Sequence, residues 1–277
     1  MKRTSAVILM GLLFSLNLFS QSTEYKIDVT YIANAGFLIE SSGKKVLIDA
    51  LFKNGWNNYL TPADSIVSKI IYQQAPFNQV NLMLITHNHE DHFNDSLVVA
   101  YLNNNSENIL IAPPLVTNAI LKNPALRKSE NQIVELDKIS REKNDITING
   151  IRIRSFFIQH DSRPQIESVG FLIDINGLKV FHSGDFNGSE TVEFGKLELQ
   201  KEQIDIALLN FYGFWSTKEE RLFTEEYIHP KRITLTHIPP AEIKIVKDSV
   251  KLINDFIDIT VFESSMKKKS FIFESSR

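Results

Sequence analysis

Four side chains that can bind metal ions fall within six consecutive positions of this chain. His87, His89, Asp91 and His92 directly follow the apolar run "NLMLIT" (81–86), which predicts a buried strand. Residues i and i+2 of an extended segment point to the same side, so His87 and His89 can face one small volume. Neutral imidazole and carboxylate groups bind zinc where thiolates are absent, and they also suit iron or manganese. The chain has no cysteine, so the cluster predicts a metal site built from histidine and aspartate.

Three further side chains of the same two types follow apolar runs later in the chain. His160 ends "IRSFFIQH", Asp185 ends "KVFHSGD", and His237 ends "KRITLTH". Each stands at the end of a predicted strand, as His87 does. This repeated placement predicts that all of these side chains converge on one site.

The pattern His-x-His-x-Asp-His at a strand end resembles the metallo-β-lactamase-fold hydrolases, and the resemblance covers roughly residues 25 to 265. It implies an α+β fold, a four-layer αββα sandwich, and two divalent ions, with zinc preferred over manganese or iron. By this resemblance the ligands of the first ion are His87, His89 and His160. Those of the second ion are Asp91, His92 and His237, with Asp185 bridging the pair. The resemblance also makes Asp91 the catalytic residue that accepts or returns a proton.

Two such ions, about 3.5–4 Å apart, can hold one hydroxide between them and polarise a carbonyl or phosphoryl oxygen. We therefore expect a binuclear hydrolase that attacks an ester, lactone or phosphodiester bond with a metal-bridging hydroxide. The absence of cysteine and of a Gly-x-Ser-x-Gly elbow agrees with a reaction that needs no side-chain nucleophile.

Two other functions stay open. One is a zinc β-lactamase that hydrolyses β-lactam amides, and the other is a metal- or ligand-binding protein without catalysis. The antibiotic-cleaving members of the family generally lack the bridging aspartate and carry the third histidine in a Gly-His-Thr-like context. Because this chain has Asp185 and the context "QHDSRP" around His160, it resembles the lactonase and phosphodiesterase branches more closely.

Aromatic residues in "LLNFYGFWSTKEE" (208–220) predict a substrate-contacting loop, with Tyr212 and Trp215 as the candidate contacts. The alternative is that these aromatic side chains cover the core beneath them. Trp56 and Tyr59, in "KNGWNNYL", form a second candidate rim.

Four other polar residues are left out of the ligand set. Asp49 matches a family position that holds the metal loop by hydrogen bonds. His182 is either a partner of a ligand carboxylate or a buried strand histidine, and His229 is expected to orient backbone near the last strand. Asp161 follows His160 directly and should point elsewhere.

The elements that must position these residues are mostly strands. Hairpins are predicted at 37–50, 146–154 and 171–185, the last two with the Asn-Gly pair that a type I′ turn favours. Helices are predicted at 62–74, 94–104, 114–123, 217–228 and 241–256, the first with Thr61 before Pro62 as a capped start. Hairpins cluster at 25–50 and 145–185, each followed by strand–helix alternation. This order predicts two β-rich halves packed sheet on sheet, with helices outside.

The N-terminus "MKRTSAVILMGLLFSLNLFS" has a basic start, an apolar run and small polar residues, which is typical of a secretory signal peptide over residues 1–20. The alternative is an uncleaved anchor, but the run is short for a membrane span of about 20 residues. We therefore expect residues 21–277 to form one exported hydrolase domain, periplasmic or extracellular, with no stable membrane span. Loss of two of the 30 basic residues would leave 28 against 33 acidic ones, a net charge of −5. This balance favours a small-molecule substrate over nucleic acid.

Overall fold

Two seven-stranded mixed sheets pack face to face, and helices cover the outer face of each sheet. The computed structural model describes residues 24–127, 130–138, 144–160, 166–186, 194–252 and 258–274. The arrangement confirms the predicted α+β sandwich of four layers, αββα. The predicted signal peptide lies outside the described residues. Within them, no helix has the length and apolar character needed to cross a membrane.

The first sheet contains the N-terminal strands and the strand that leads to the histidine cluster. Numbered in chain order, its strands are β1 (Glu24–Ala33), β2 (Gly36–Ser41), β3 (Lys44–Ile48), β4 (Leu82–Leu84), β5 (Leu110–Ala112), β6 (Ile133–Glu135) and β14 (Lys268–Glu274). Their spatial order is β14-β1-β2-β3-β4-β5-β6, and β3 to β6 run parallel. The helices on its outer face are α1 (Asp64–Ile71), α2 (Asp95–Asn104) and α3 (Pro114–Leu121).

The second sheet contains the strands that precede the three later candidate ligands. Its strands are β7 (Asn144–Ile148), β8 (Ile151–Ile158), β9 (Ser168–Ile175), β10 (Leu178–His182), β11 (Ile206–Asn210), β12 (Ile233–Thr236) and β13 (Ile259–Val261). They lie in the order β13-β12-β11-β10-β9-β8-β7, with β10 to β13 parallel. Its helices are α4 (Phe211–Phe214), α5 (Lys218–Tyr227) and α6 (Ile243–Leu252). Short 3₁₀ turns cover Glu130–Gln132 and Leu199–Lys201.

Alternating side chains of the strands build the core between the sheets. On β9, Val169, Phe171, Ile173 and Ile175 are buried and point into this core. Burial of each such side chain stabilises the fold by about 1.5–3 kcal/mol. The intersheet core therefore fixes how the strand ends of the two sheets face each other.

The two Asn-Gly hairpin turns form as predicted. Asn149 and Gly150 have φ values of 52° and 69°, and Asn176 and Gly177 have 54° and 85°. A type I′ turn requires positive φ at both central residues, which Asn and Gly tolerate best. These turns fix the register of β7 with β8 and of β9 with β10.

The expected start of the first helix was wrong, and one strand was missed. The first helix begins at Asp64 after Ala63, which makes no side-chain cap, so Thr61 is not the cap. The C-terminal strand β14 was not predicted, although it pairs with β1 from Glu24 opposite Glu274 to Thr30 opposite Lys268. Pairing across 238 to 250 positions depends on a long-range neighbour and leaves no turn signal in the sequence.

Candidate metal centre

The structure brings all seven predicted ligands together at the ends of four strands. Their ligand atoms fall into two groups, in each of which the atoms lie within 4.8 Å of one another. The first group, called the histidine trio, contains His87, His89 and His160. The second, called the mixed quartet, contains Asp91, His92, Asp185 and His237. This division matches the expected split between two ions, apart from Asp185, which was expected to join them.

Asp185 belongs to the mixed quartet but also lies close to the histidine trio. Its Oδ2 atom is 3.9 Å from His87 Nε2 and 3.6 Å from His160 Nε2, both in the histidine trio. The same oxygen is 3.2 Å from His92 Nε2 and 3.0 Å from His237 Nε2, both in the mixed quartet. One carboxylate oxygen is therefore within 4 Å of four imidazole nitrogens from both groups.

Asp49 orients one histidine of each group. At the end of β3, its buried carboxylate accepts hydrogen bonds from Thr86 N (2.9 Å), Thr86 Oγ1 (2.7 Å) and His92 Nδ1 (2.8 Å). Since the Thr86 hydroxyl gives its one proton to Asp49, it must accept from His87 Nδ1, 2.9 Å away. Both rings then direct an Nδ1 proton away from the site, so Nε2 is the nitrogen of His87 and of His92 that faces the site. The expected role of Asp49 in holding the loop is confirmed.

Asn34 supports the quartet from the turn between β1 and β2, and the sequence did not single it out. Its buried side-chain amide donates to Asp91 Oδ2 (3.0 Å) and to the Asp91 carbonyl (3.2 Å). The backbone carbonyl of Asn34 accepts a hydrogen bond from His237 N at 3.4 Å. His237 itself has a φ of 56°. A polar residue between two apolar runs was the only available signal, and such residues are common in turns.

His182 and Gly184 position the loop that carries Asp185. His182 Nε2 donates to the Ala35 carbonyl at 2.9 Å, and His182 Nδ1 accepts from Gly184 N at 3.0 Å. Gly184 has a φ of 55°, and a Cβ there would lie 2.9 Å from the Val169 carbonyl oxygen. His182 is therefore a buried strand histidine that holds the backbone next to Asp185.

The histidines of the two groups are held in different protonation states. Burial, together with the nearby His92, keeps the pKa of His87 well below its ordinary value. Burial and the neighbouring His160 lower the pKa of His89 to about 4. These two members of the trio are therefore neutral at pH 7.

In the mixed quartet, carboxylates raise the pKa values of the histidines instead of letting burial lower them. Burial alone would lower the pKa of His237, but the Asp185 carboxylate raises it to about 9. Burial likewise opposes protonation of His92, whereas Asp185 and Asp49 raise its pKa well above the ordinary value. In return, His237 and His92 hold the pKa of Asp185 well below its usual range despite burial.

The donor set fits metal ions. Among the described residues, no hydrogen-bond partner meets His87 Nε2, Asp91 Oδ1 or Asp185 Oδ1, although all three atoms are buried. A buried polar atom without a partner costs about 1–3 kcal/mol. Ions bound to the trio and the quartet would satisfy these atoms, and nitrogen and oxygen donors suit zinc, manganese or iron.

The two predicted substrate contacts lie in different environments. Tyr212 is 44% exposed, and its hydroxyl donates to Glu242. Trp215 is only 2% exposed and packs in the core between the second sheet and its helices, with Phe214. The expectation that Trp215 lines a substrate loop is therefore wrong, because its apolar ring is buried against the sheet. For Trp215 the alternative reading, an aromatic side chain that covers the core, is correct.

Of the two polar residues that remain, His229 and Asp161, the structure describes only His229. The side chain of His229 is 67% exposed and pairs with Glu225 at 2.9 Å, so the expectation that it orients backbone near the last strand was wrong. Asp161 lies outside the described residues.

Known proteins resemble this chain in sequence and in fold. The family model for the beta-lactamase superfamily domain matches residues 44–255. A UPF0173 metal-dependent hydrolase of Thermococcus kodakarensis is 23% identical over 247 residues, covering 86% of this chain and 96% of that protein. The structure of a metallo hydrolase from Ignicoccus hospitalis is similar with a TM-score of 0.59 and 19% identity, covering 89% of this chain and 98% of that one. That of a metallo-β-lactamase fold protein from Bacillus subtilis has a TM-score of 0.60 and 13% identity, covering 91% and 100%.

We predict that Asp49→Asn destabilises the protein and weakens metal binding. The amide would turn a donor toward groups that already donate, and a buried unsatisfied donor costs about 1–3 kcal/mol. Loss of an orienting partner typically lowers metal affinity about 10–100-fold. Urea denaturation in chelator and zinc titration measure the two effects. Asp64→Asn, at an exposed position, is the control, and equal stability of the two variants would contradict the assigned role of Asp49.

We also predict that the metal-free protein loses stability as the pH rises from about 6.5 to about 9. His237 has a raised folded pKa of about 9, so its stabilising contribution is complete below the unfolded value of about 6.5 and is lost as the folded group deprotonates. His92 shifts in the same direction. The loss should be roughly 1–3 kcal/mol.

Denaturation midpoints in chelator across this pH range test the prediction. His237→Asn should flatten the profile, whereas His229→Asn, at an exposed position, should not. A midpoint that increases from pH 6.5 to 9 in the parent protein would refute it.

Proposed function

The chain belongs to the beta-lactamase superfamily domain family and is a metal-dependent hydrolase, and from this premise we propose that it is an exported binuclear hydrolase of ester, lactone or phosphodiester bonds. The observation that carries the binuclear part is the position of Asp185, whose Oδ2 lies 3.0–3.9 Å from four histidine Nε2 atoms of both groups. A carboxylate in this position is suited to bridge two ions.

The proposed ligands are the histidine trio for one ion and Asp91, His92 and His237 for the other, with Asp185 as the bridge. When bound, two divalent ions, with zinc preferred over manganese or iron, would supply Lewis acidity toward the substrate oxygen and lower the pKa of the attacking water. The chain's own contribution is orientation. Asp49 fixes the ring orientations of His92 directly and of His87 through Thr86, so that their Nε2 atoms face the site without reorganisation.

Asp91 is the proposed proton carrier. Its Oδ2 is held by Asn34 at 3.0 Å and by His237 at 3.2 Å. Burial would raise the pKa of Asp91, but His237 and His92 lower it, so the group is ionised at neutral pH. Its Oδ1 meets no hydrogen-bond partner among the described residues. We assign to the Asp91 carboxylate the uptake of a proton from the attacking water and its return to the leaving group.

Tyr212 remains the proposed substrate contact in the segment that follows β11. Its phenol lies within electrostatic reach of Tyr59, whose ring packs against His237. This position would place a substrate between Tyr212 and the mixed quartet.

Metal analysis and substrate screening test the hydrolase proposal. We expect two metal ions per mature chain and turnover within a panel of carboxylester, lactone and phosphodiester substrates. Asp91→Ala should reduce kcat about 100-fold or more, because a positioned acid–base group contributes 10²–10⁴-fold. Asp64→Ala, in the exposed first turn of α1, should leave kcat unchanged. Turnover of a cephalosporin alone would favour the β-lactamase alternative, and a chain that binds no metal would refute the proposal.

Export rests on the N-terminal sequence, which combines a basic start with a short apolar run. When the full chain is expressed in a bacterium, we expect it outside the cytoplasm with its N-terminus processed near Ser20. Replacing Leu12 and Leu13 by arginine should leave the unprocessed chain in the cytoplasm, because the apolar run is interrupted. Cell fractionation and N-terminal sequencing provide the measurement, and an unprocessed cytoplasmic parent chain would exclude export.

A further inference from the structure

The loop between β3 and α1 is held against the candidate metal centre. Leu51 pairs with Phe93, and the Leu51 carbonyl accepts from Asn94 N at 2.9 Å, just after the histidine motif. The Gly55 carbonyl accepts from Tyr59 N at 2.8 Å. A Cβ at Gly55 would lie 2.3 Å from the Tyr59 carbonyl oxygen, so this tight turn requires glycine.

The same loop is also tied to the histidine motif by side chains. Asn54 accepts from Trp56 N at 2.8 Å and donates to Glu90, which lies between two of the proposed ligands in the sequence. Trp56 has a φ of 49°, a conformation that a bulky residue adopts only when surrounding contacts impose it. These contacts fix the backbone of the loop at Trp56.

Two aromatic rings from this loop reach one histidine of each group. The Trp56 ring centroid lies 5.4 Å from that of His89, at an interplanar angle of 71°. The Tyr59 centroid lies 4.1 Å from that of His237, at 54°. Trp56 is 47% exposed and Tyr59 is half-buried, so aromatic surface remains open beside both groups.

Two carboxylates lie close to these aromatic rings. Glu90 bonds to Asn54 beside Trp56, and Glu242 accepts from Tyr212. Both carboxylates would repel an anionic substrate group, and open aromatic surface beside a reactive centre favours a flat apolar one.

We propose that Trp56 and Tyr59 form a specificity platform that selects an uncharged ester or lactone carrying a flat aromatic group. The proposal rests on the hydrolase function proposed above and narrows its substrate class. An aromatic lactone should be preferred over an aliphatic lactone and over an anionic phosphodiester. The platform acts by positioning the apolar part of the substrate, so its effect should appear mainly in KM.

An aromatic and an aliphatic lactone test the preference. Because dihydrocoumarin has a phenolate leaving group and is intrinsically more reactive than δ-valerolactone, the ratio of their kcat/KM values is compared between variants, and Trp56→Ala should reduce this ratio about tenfold through KM. Trp56→Phe should retain most of the preference, because it keeps an aromatic ring. Tyr72→Ala removes an exposed aromatic side chain at the C-terminal end of α1 and should leave the ratio unchanged.

Fluorescence provides a second measurement that does not depend on turnover. The chain has two tryptophans, and Trp215 is only 2% exposed, so acrylamide should quench mainly Trp56. The aromatic lactam dihydroquinolinone should protect Trp56 from quenching, whereas its aliphatic counterpart piperidinone should not. The measurement also works in the Asp91→Ala variant.

The outcomes separate the two proposals. Protection by the aromatic lactam supports the platform even if neither lactone is hydrolysed, a result that would count against the proposed lactone hydrolysis. Hydrolysis of δ-valerolactone as fast as dihydrocoumarin, with no protection of Trp56, would overturn the platform and leave the hydrolase intact. An unchanged preference in Trp56→Ala would overturn it as well.

Discussion

The buried carboxylate of Asp49 is the constraint on which the site depends. A charge without access to water is tolerated only when donors surround it, and Asp49 is met by the amide and hydroxyl of Thr86 and by the ring of His92. Because the ionised carboxylate can only accept, Thr86 and His92 must each direct a proton toward it. The network extends through Thr86 to His87. A residue outside the proposed ligand set thus determines which nitrogens of His87 and His92 face the site.

The sandwich fold brings strand ends from both sheets together next to Asp49, and these strand ends carry the two groups of ligands. Parallel strands place their carboxyl ends at the same edge of a sheet, and β4 of the first sheet and β10 and β12 of the second all end at candidate ligands. The backbone links these sheets directly, since Val169 N donates to the Thr86 carbonyl at 3.0 Å. The apolar core between the sheets offsets the cost of crowding desolvated imidazoles and carboxylates at this edge, a trade of stability for function that is common at active sites.

Much of this arrangement could be predicted because its signals are local. The motif from His87 to His92 is contiguous, and the Asn-Gly turns encode their own backbone conformation. Asn34 and β14 were missed because their roles depend on partners that lie 57 and 238 to 250 positions away, respectively. Trp215 was misplaced because an aromatic-rich segment after a strand suits a surface loop and a core-covering turn equally well. Only its tertiary environment in the second sheet decides between them.

The electrostatics of the two groups differ in a way that the ligand types alone do not show. His87 and His89 are neutral at pH 7 because burial and neighbouring imidazoles disfavour protonation. A cation approaching the trio therefore has no proton to displace from either residue. In the quartet, carboxylates keep His92 and His237 protonated, so a cation there must compete with two protons. Because metal affinity depends on ligand deprotonation, binding at the quartet should be the more pH-dependent of the two, and Asp185, which lies within reach of both groups, couples them.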